Sequence, residues 1–353
     1  MRVCIIGAGP AGSACATLVA KKHDVVLIDK TRDFKDRVCG GAVGNFQLRR
    51  WNVELPNVRK KGIRGVVFHA PSGRSSAIIR DSVEGYVFDR CEFDAVLARN
   101  AERAGAELIL GERVRKVYRE NSGFRVVSER GEYRADVVVD ASGPRARFAR
   151  MLGVASPMGV DDYRFTIQAL FDADANEDVI HLYFGEEFAP EAYAWVFPSV
   201  EGVKVGVGVI MDGRANPNRC LERFIERVGI EGKILWRRGK DVPVTTVGGL
   251  VHRNVIAVGD AARTASPLTG AGIIPAIVSG RAAARAIIEG KLRRYKKYMW
   301  RLRLENWIKL MLRKTLPLND EWFEEAVGKV NNLNIESVTN FEIIKGVLKM
   351  RWC

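Results

Sequence analysis

Residues 2–12 read Arg-Val-Cys-Ile-Ile-Gly-Ala-Gly-Pro-Ala-Gly, an apolar run that passes directly into Gly7, Gly9 and Gly12. No other stretch of the chain restricts its fold so tightly. In this GxGxxG spacing Gly7 permits a tight turn, Gly9 lets backbone approach a pyrophosphate, and Gly12 lets the next helix lie against the strand. The N-terminus of that helix then offers free N–H groups and positive potential to an anion. Asp29 closes the following apolar run, 17 residues after Gly12. A carboxylate there accepts from ribose hydroxyls and repels a 2′-phosphate. Strand, helix and acid in register predict a dinucleotide site for FAD or NAD rather than NADP.

The pattern that follows is α/β. Periodicity predicts the strand Arg2 to Ile6, a helix from Ala11 to Lys22, the strand Val25 to Ile28, a helix from Glu92 to Ala104 and the strand Val137 to Val139, with a short hairpin-like stretch between them. Such alternation implies a mainly parallel sheet covered by helices. From Tyr163 to Val247 the period changes to two. Phe165, Ile167, Ala169 and Phe171 alternate with Arg164, Thr166, Gln168 and Leu170, and Val203, Val205, Val207 and Val209 alternate with Lys204, Gly206, Gly208 and Ile210. This predicts half-buried antiparallel strands with one face on a core and one face free. The segment Ile63 to Ile79 is expected to join the same sheet.

A second signal lies far downstream. Val258-Gly259-Asp260-Ala261-Ala262 follows the apolar strand Val255 to Val258, and Pro267, Gly270, Ala271, Gly272 and Ile273 lead into a helix ending near Glu289. An NAD dehydrogenase keeps its cofactor residues in one contiguous half. A flavoprotein folds a late strand back so that an Asp and its amide meet the pyrophosphate and ribityl chain, and a helix starting near Gly272 aims its positive end at the flavin pyrimidine. The fold expected is therefore α/β, with a discontinuous Rossmann-like FAD-binding domain (1–62, 86–155 and 249–290). A substrate domain on an antiparallel sheet (63–85 and 156–248) and a C-terminal helical region (291–353) complete it.

Composition excludes several other classes. With 353 residues, 47% hydrophobic and 28% charged, the chain can build a core without staples. Its six cysteines, at 4, 15, 39, 91, 220 and 353, show no CxxC spacing. Cys4 and Cys15 fall inside a strand and a helix and read as packing. The N-terminus runs straight into a strand without a signal-peptide pattern, so a cytoplasmic location is expected, with attachment to a membrane surface as a further option. No apolar run reaches the roughly 18 residues that a span needs. None of the four histidines, at 23, 69, 181 and 252, has a ligand partner by spacing, and no metal site is expected.

The net charge of +14 is concentrated. Ten basic residues and one acid, Glu305, lie between Lys291 and Lys314, giving that segment nine of the fourteen excess positive charges. Trp300, Leu304, Trp307, Ile308 and Met311 fall on one helical face, flanked by Arg301, Arg303, Lys309 and Arg313. Three readings fit this helix: packing on the nucleotide domain, resting on anionic lipid, or docking an acidic electron carrier. Nucleic acid is a weaker reading, since no binding module accompanies the basic segment.

The chain resembles the FAD-dependent oxidoreductases of the aromatic-hydroxylase and glutathione-reductase type, and within them the geranylgeranyl reductase family on its archaeal ether-lipid side. GxGxxG with Asp29, and the Gly259–Ala262 run followed by Pro267 and GxG, are shared by many flavoproteins. The specific part is Pro190, Tyr193, Trp195, Phe197 and Pro198 followed by Gly206 and Gly208, which is similar to the family's PxxYxWxFP element and its GxG. Arg90 resembles the family's flavin-contacting arginine, Asp140 to Gly143 its strand end under the FAD, and Cys39-Gly40 its CG element. The resemblance implies FAD contacts by Gly7, Gly9, Ala11, Gly12, Asp29, Lys30, Cys39, Gly40, Arg90, Val114, Ala141, Gly143, Gly259, Asp260, Pro267, Gly270, Gly272 and Ile273. It also implies a substrate slot at Tyr193, Trp195, Phe197, Gly206 and Gly208, with Cys39, Tyr193 and Trp195 as catalytic candidates.

The chemistry implied is reduction of isolated C=C bonds in a polyprenyl chain. Hydride delivery to such a bond must be coupled to protonation, and the positive charge that develops at the tertiary carbon is stabilised by the faces of Tyr193 and Trp195, worth about 2 kcal/mol when desolvated. Cys39, Tyr193 and a bound water are the candidate proton donors. No second GxGxxG is present, so reducing equivalents are expected from a small electron carrier or a transiently bound nicotinamide. Two other classes share the scaffold's features: a flavin monooxygenase or halogenase, and a non-catalytic lipid-binding flavoprotein. Halogenases carry WxWxIP where this chain has Tyr193, Trp195 and Phe197-Pro198.

Overall fold

The computed structural model describes residues 1–246 and 248–330. Cys353 and the last part of the expected helical tail, 331–353, lie outside the described residues.

The near-continuous apolar runs at Arg2–Ile6, Asp24–Asp29, Val137–Asp140 and Val255–Ala257 form neighbouring parallel strands, buried on both faces. Across this six-stranded sheet the order is Val251–His252, Val255–Ala257, Val137–Asp140, Arg2–Ile6, Asp24–Asp29 and Glu107–Leu110. Three helices cover it: Pro10–Val19, Arg90–Arg103 and Ile273–Ile288. The first and last approach unusually closely, because a Cβ on Gly280 would lie 2.2 Å from the Ala11 carbonyl oxygen. A three-stranded meander, Val114–Glu120, Gly123–Ser128 and Glu132–Ala135, interrupts the α/β alternation.

The period-two region forms a seven-stranded sheet in the order Lys233–Pro243, Tyr163–Asp172, Gly202–Val209, Ala194–Ser199, Val179–Tyr183, Gly65–His69 and Ser75–Ile79. All neighbours are antiparallel except Val179–Tyr183 with Gly65–His69. Lys60–Ile63 instead joins Ala42–Gly44 and Gly85–Phe88 in a small separate sheet. The expectation of a free face is corrected here. Ile167, Ala169, Phe171 and the four alternate valines pack on Cys220, Leu221 and Phe224 of the helix Pro217–Val228, while Gln168 and Lys204, which alternate with them, are buried as well. The second face is closed by the nucleotide-binding half of the molecule.

The basic segment forms Tyr295–Tyr298 and most of Trp300–Thr315, and the helix Asp320–Lys329 follows it. Its longest helix docks by a mixed face that buries Leu302, Leu310 and Leu312 together with Asn306 and Lys309. Asn306 donates to the Thr264 and Ala265 carbonyls, Arg303 to those of Gly248 and Thr246, and Arg313 to those of Val244 and Asp161. Trp300, Leu304 and Trp307 face outward, at 61%, 47% and 52% exposure. The helix therefore packs on the molecule, but through a different face from the stripe of Trp300, Leu304 and Trp307.

Candidate functional site

The strand Arg2–Ile6 lies between Asp24–Asp29 and Val137–Asp140, so the chain leaves it in opposite senses and a crevice opens beyond the strand ends. Gly7 stands there with φ 113°, and a Cβ on it would lie 2.3 Å from the Ala141 carbonyl oxygen. A Cβ on Gly12 would lie 1.9 Å from the Gly7 oxygen. Only glycine permits both approaches. At Gly9 and Gly143 nothing lies within 4 Å of the Cβ position, leaving open backbone. Gly9 begins the helix Pro10–Val19, which includes Ala11 and has no side-chain cap on its first N–H groups. Open glycine backbone beside an uncapped helix start suits the pyrophosphate of FAD.

Asp29 is 5% exposed and accepts from the Ala8 and Thr31 N–H groups, at 2.6 and 2.8 Å, and from Arg37 at 3.0 Å. A ribose hydroxyl reaching this carboxylate shares it with Arg37. Arg37 also pairs with fully buried Asp94 at 3.1 Å, and Asp94 holds Arg90 through two hydrogen bonds of 3.0 Å. Burial alone lowers the Arg90 pKa, but Asp94 and the Cys39 sulfur outweigh it and fix the charge. The network Asp29, Arg37, Asp94, Arg90 runs from the end of the strand Asp24–Asp29 to the Cys39 loop. Sequence reading found its ends; Arg37 carried no motif signal. Lys30, one residue past Asp29, faces solvent, and Val114 lies two residues past Glu112, whose N–H bonds the Asp29 carbonyl at 3.0 Å.

The second sheet meets this loop. Tyr193, Trp195 and Phe197 share a face, with centroids 6.0 Å apart for the first pair and 6.3 Å for the second. Trp195 and Phe197 are 7% and 8% exposed. Buried Gln168 ties them to the loop, donating to the Cys39 carbonyl at 3.1 Å and accepting from Trp195 Nε1 at 3.3 Å. A Cβ on Gly40 would sit 2.6 Å from the Phe197 ring, and one on Gly206 would sit 2.3 Å from the Trp195 indole. The space expected for substrate over Gly206 thus holds the indole, while Gly208 faces Ala192 and the Tyr193 carbonyl. Lys204, 2% exposed, reaches the Phe88 carbonyl at 3.3 Å and Glu201 at 3.2 Å.

The downstream element closes the group. Tyr193 donates to the Thr269 carbonyl at 2.7 Å, inside the loop bearing Pro267, Gly270 and Gly272. Burial and the nearby Cys39 push the Tyr193 pKa up to about 12, so the phenol keeps its proton at neutral pH. Asp260 pairs with Lys240 of the second sheet at 2.9 Å. The Gly259 N–H is already bound by Ser279 Oγ at 2.8 Å, whereas the helix starting at Ile273 has no side-chain cap. Sequence reading missed Gln168 and Lys204, which alternate with the core apolar residues of their strands, and Lys240, which stands between Gly239 and Asp241.

Residues 2–201 match the family described as FAD dependent oxidoreductase, and residues 162–247 the geranylgeranyl reductase catalytic domain. The chain is 31% identical to a digeranylgeranylglycerophospholipid reductase of Methanosarcina acetivorans, over 98% of this chain and 92% of the relative. It is 29% identical to digeranylgeranylglycerophospholipid reductase 2 of Methanococcoides burtonii with the same coverage. A geranylgeranyl bacteriochlorophyll reductase-like crystal structure from Thermoplasma acidophilum superposes with a TM-score of 0.86 at 27% identity, covering 98% of this chain and 95% of that one. A myxobacterial FAD-dependent halogenase, with a TM-score of 0.68 and 18% identity, covers 94% of this chain and 91% of its own and shares the fold.

Proposed function

Because the chain belongs to the geranylgeranyl reductase family of FAD-dependent oxidoreductases, we propose that it reduces isolated C=C bonds in the geranylgeranyl chains of archaeal ether phospholipids. The observation that carries this reading is the junction of the aromatic strand with the Cys39-Gly40 loop and the Gly270 loop, through Gln168 and Tyr193. Reduced FAD, when bound, supplies hydride. Its holders in this proposal are the glycine crevice at Gly7, Gly9, Gly12 and Gly143, the Asp29 to Arg90 network, and the loop from Gly259 to Ile273, all within the three-segment FAD-binding domain.

The sheet domain contributes shape and charge. Tyr193 and Trp195 offer aromatic faces to the tertiary carbon where positive charge develops, and Trp195 is held in place by Gln168 behind it. Tyr193 retains its phenolic proton and holds it on the Thr269 carbonyl, so it enters the reaction as a donor only if substrate displaces that bond. Cys39, tied to Arg90, is the second proton source in reach.

The reaction takes a polyprenyl lipid and an electron donor, and both meet the protein at its surface. We assign the lipid-facing side to the helix Trp300–Thr315. Two exposed tryptophans and Leu304 among Lys296, Lys297 and Arg301 form an apolar stripe edged with positive charge, suited to an anionic membrane surface. The donor is an acidic carrier protein or a reduced nicotinamide. No helix among the described residues is long and apolar enough to cross a membrane. Incubating the chemically reduced protein with a geranylgeranylated phospholipid tests the assignment by mass spectrometry. The lipid is expected to gain two hydrogens per reduced bond and no oxygen; oxygen incorporation, or an unchanged lipid, contradicts it.

A further inference from the structure

Arg263 follows the Gly259–Ala262 turn in a left-handed conformation, φ 55°, that non-glycine residues seldom adopt. Its side chain is only 3% exposed. One guanidinium nitrogen, Nη2, donates to the Ser156 carbonyl at 2.6 Å, but Nε and Nη1 are buried without a partner. A buried guanidinium with unmet donors is expensive, and a fold that strains backbone to place one holds it for a counter-charge.

The surroundings do not supply that charge. Arg263 lines a cleft of about 500 Å³ together with Pro144, Arg145, Arg150, Ser156 and Tyr163. Among the described lining residues the acid is Asp241, which pairs with Arg145 at 3.4 Å. Burial pulls the Arg263 pKa below the ordinary arginine range; Asp162 opposes this from a distance and Arg150 adds to it. Three guanidinium groups therefore converge on a space holding one carboxylate. The cleft is distinct from the flavin crevice. Phe165 and Asp241, which face it, stand on the side of their sheet opposite to Gln168 and Lys240.

We propose that this cleft binds a phosphoryl group. Arginine forks match the paired oxygens of a phosphate, and the Arg263 guanidinium in the cleft wall, with the exposed guanidiniums of Arg145 and Arg150, concentrates positive charge and unmet donors around one space. The cleft adjoins both cofactor elements, since Arg145 lies two residues past Gly143 and Arg263 three past Asp260. The same chemistry is offered by the headgroup of a phospholipid and by a soluble phosphate.

The test uses the FAD-loaded full chain. Thermal melting is followed against inorganic phosphate, glycerol phosphate and a short-chain phosphatidic acid below its micelle concentration, with chloride at matched ionic strength as reference. Wild type, Arg150→Gln and Arg263→Lys are compared, the first variant being on the surface so that folding is not at issue. Phosphate is expected to raise the melting temperature beyond chloride, with apparent affinity about tenfold or more weaker in both variants. Tighter binding of the phosphatidic acid than of glycerol phosphate, lost in the same variants, identifies a lipid headgroup; equal binding identifies a soluble phosphate. Either result supports the site. A shift no larger than chloride gives, or one unchanged in both variants, overturns it. The lipid arm alone rests on the proposed reductase activity, so failed lipid turnover counts against that reading while the phosphate titration still decides this one.

Discussion

Gly206 and Trp195 share one volume, and Gln168 closes it from the neighbouring strand. A Cβ on Gly206 would fall 2.3 Å from the indole and 2.7 Å from the Gln168 Cβ. Gly206→Ala is therefore expected to push the indole out, cost about 1–3 kcal/mol of stability by overpacking and abolish most lipid turnover. Denaturant unfolding beside a turnover assay checks both, and an unperturbed enzyme would remove Trp195 from the account. Arg37 offers a second test at this scale. Arg37→Met leaves the Asp29 and Asp94 carboxylates short of one counter-charge, so FAD affinity measured by flavin fluorescence should fall at least tenfold. The glycines were legible in the sequence because each meets a fixed backbone demand. Arg37 and Gln168 were not, since their partners lie on other elements and no spacing rule links them.

At the scale of elements, the helix Trp300–Thr315 shows where periodicity stops informing. Its apolar stripe was visible, but the face that turns inward is the one carrying Leu302, Leu310 and Leu312, where Arg303, Asn306 and Arg313 satisfy the carbonyls of Val244, Thr246, Gly248, Thr264 and Ala265. The alternating strands misled for a similar reason: Gln168 and Lys204 look solvent-facing until a second layer covers them. Trp300→Ala with Trp307→Ala should leave folding stability within about 0.5 kcal/mol, because both rings are exposed. Co-sedimentation with anionic vesicles should drop sharply in the same variant; undiminished sedimentation would place the membrane face elsewhere. The parallel pair Gly65–His69 and Val179–Tyr183 carries a pH signature. His69 bonds His181 at 3.0 Å, His181 bonds Glu177 at 2.6 Å, and His69 stacks on Tyr183 at 4.0 Å. Burial and His181 pull the His69 pKa from 6.5 down to about 4, against Glu177. Between those values the unfolded chain takes a proton that the folded one refuses. The neutral ring's contribution is present above about pH 6.5 and lost as pH falls toward about 4. Melting temperatures through that window should fall more steeply for wild type than for His69→Phe, which keeps the stacking without the titration.

For the whole molecule, one sheet organises a nucleotide crevice and another sheet seals it. The glycine motif and the late Gly259–Ala262 run sit more than 240 residues apart in sequence, yet Gly280 brings their helices into backbone contact. That discontinuity was readable because each segment carries its own motif; the lock between the halves was not, being made by Lys240 with Asp260, Tyr193 with Thr269 and Gln168 with Cys39. The charge excess proved equally local, concentrated between Lys291 and Lys314, where basic groups partly dock and partly edge an exposed apolar stripe. The most direct test of the central claim is an anaerobic single turnover. The FAD-loaded protein is reduced, a geranylgeranylated ether phospholipid is added without oxygen, and the return of oxidised flavin absorbance is followed beside lipid mass. Re-oxidation on lipid addition is expected, with one double bond lost per flavin. Flavin that stays reduced until oxygen is admitted, with the lipid unsaturated or hydroxylated, would contradict it.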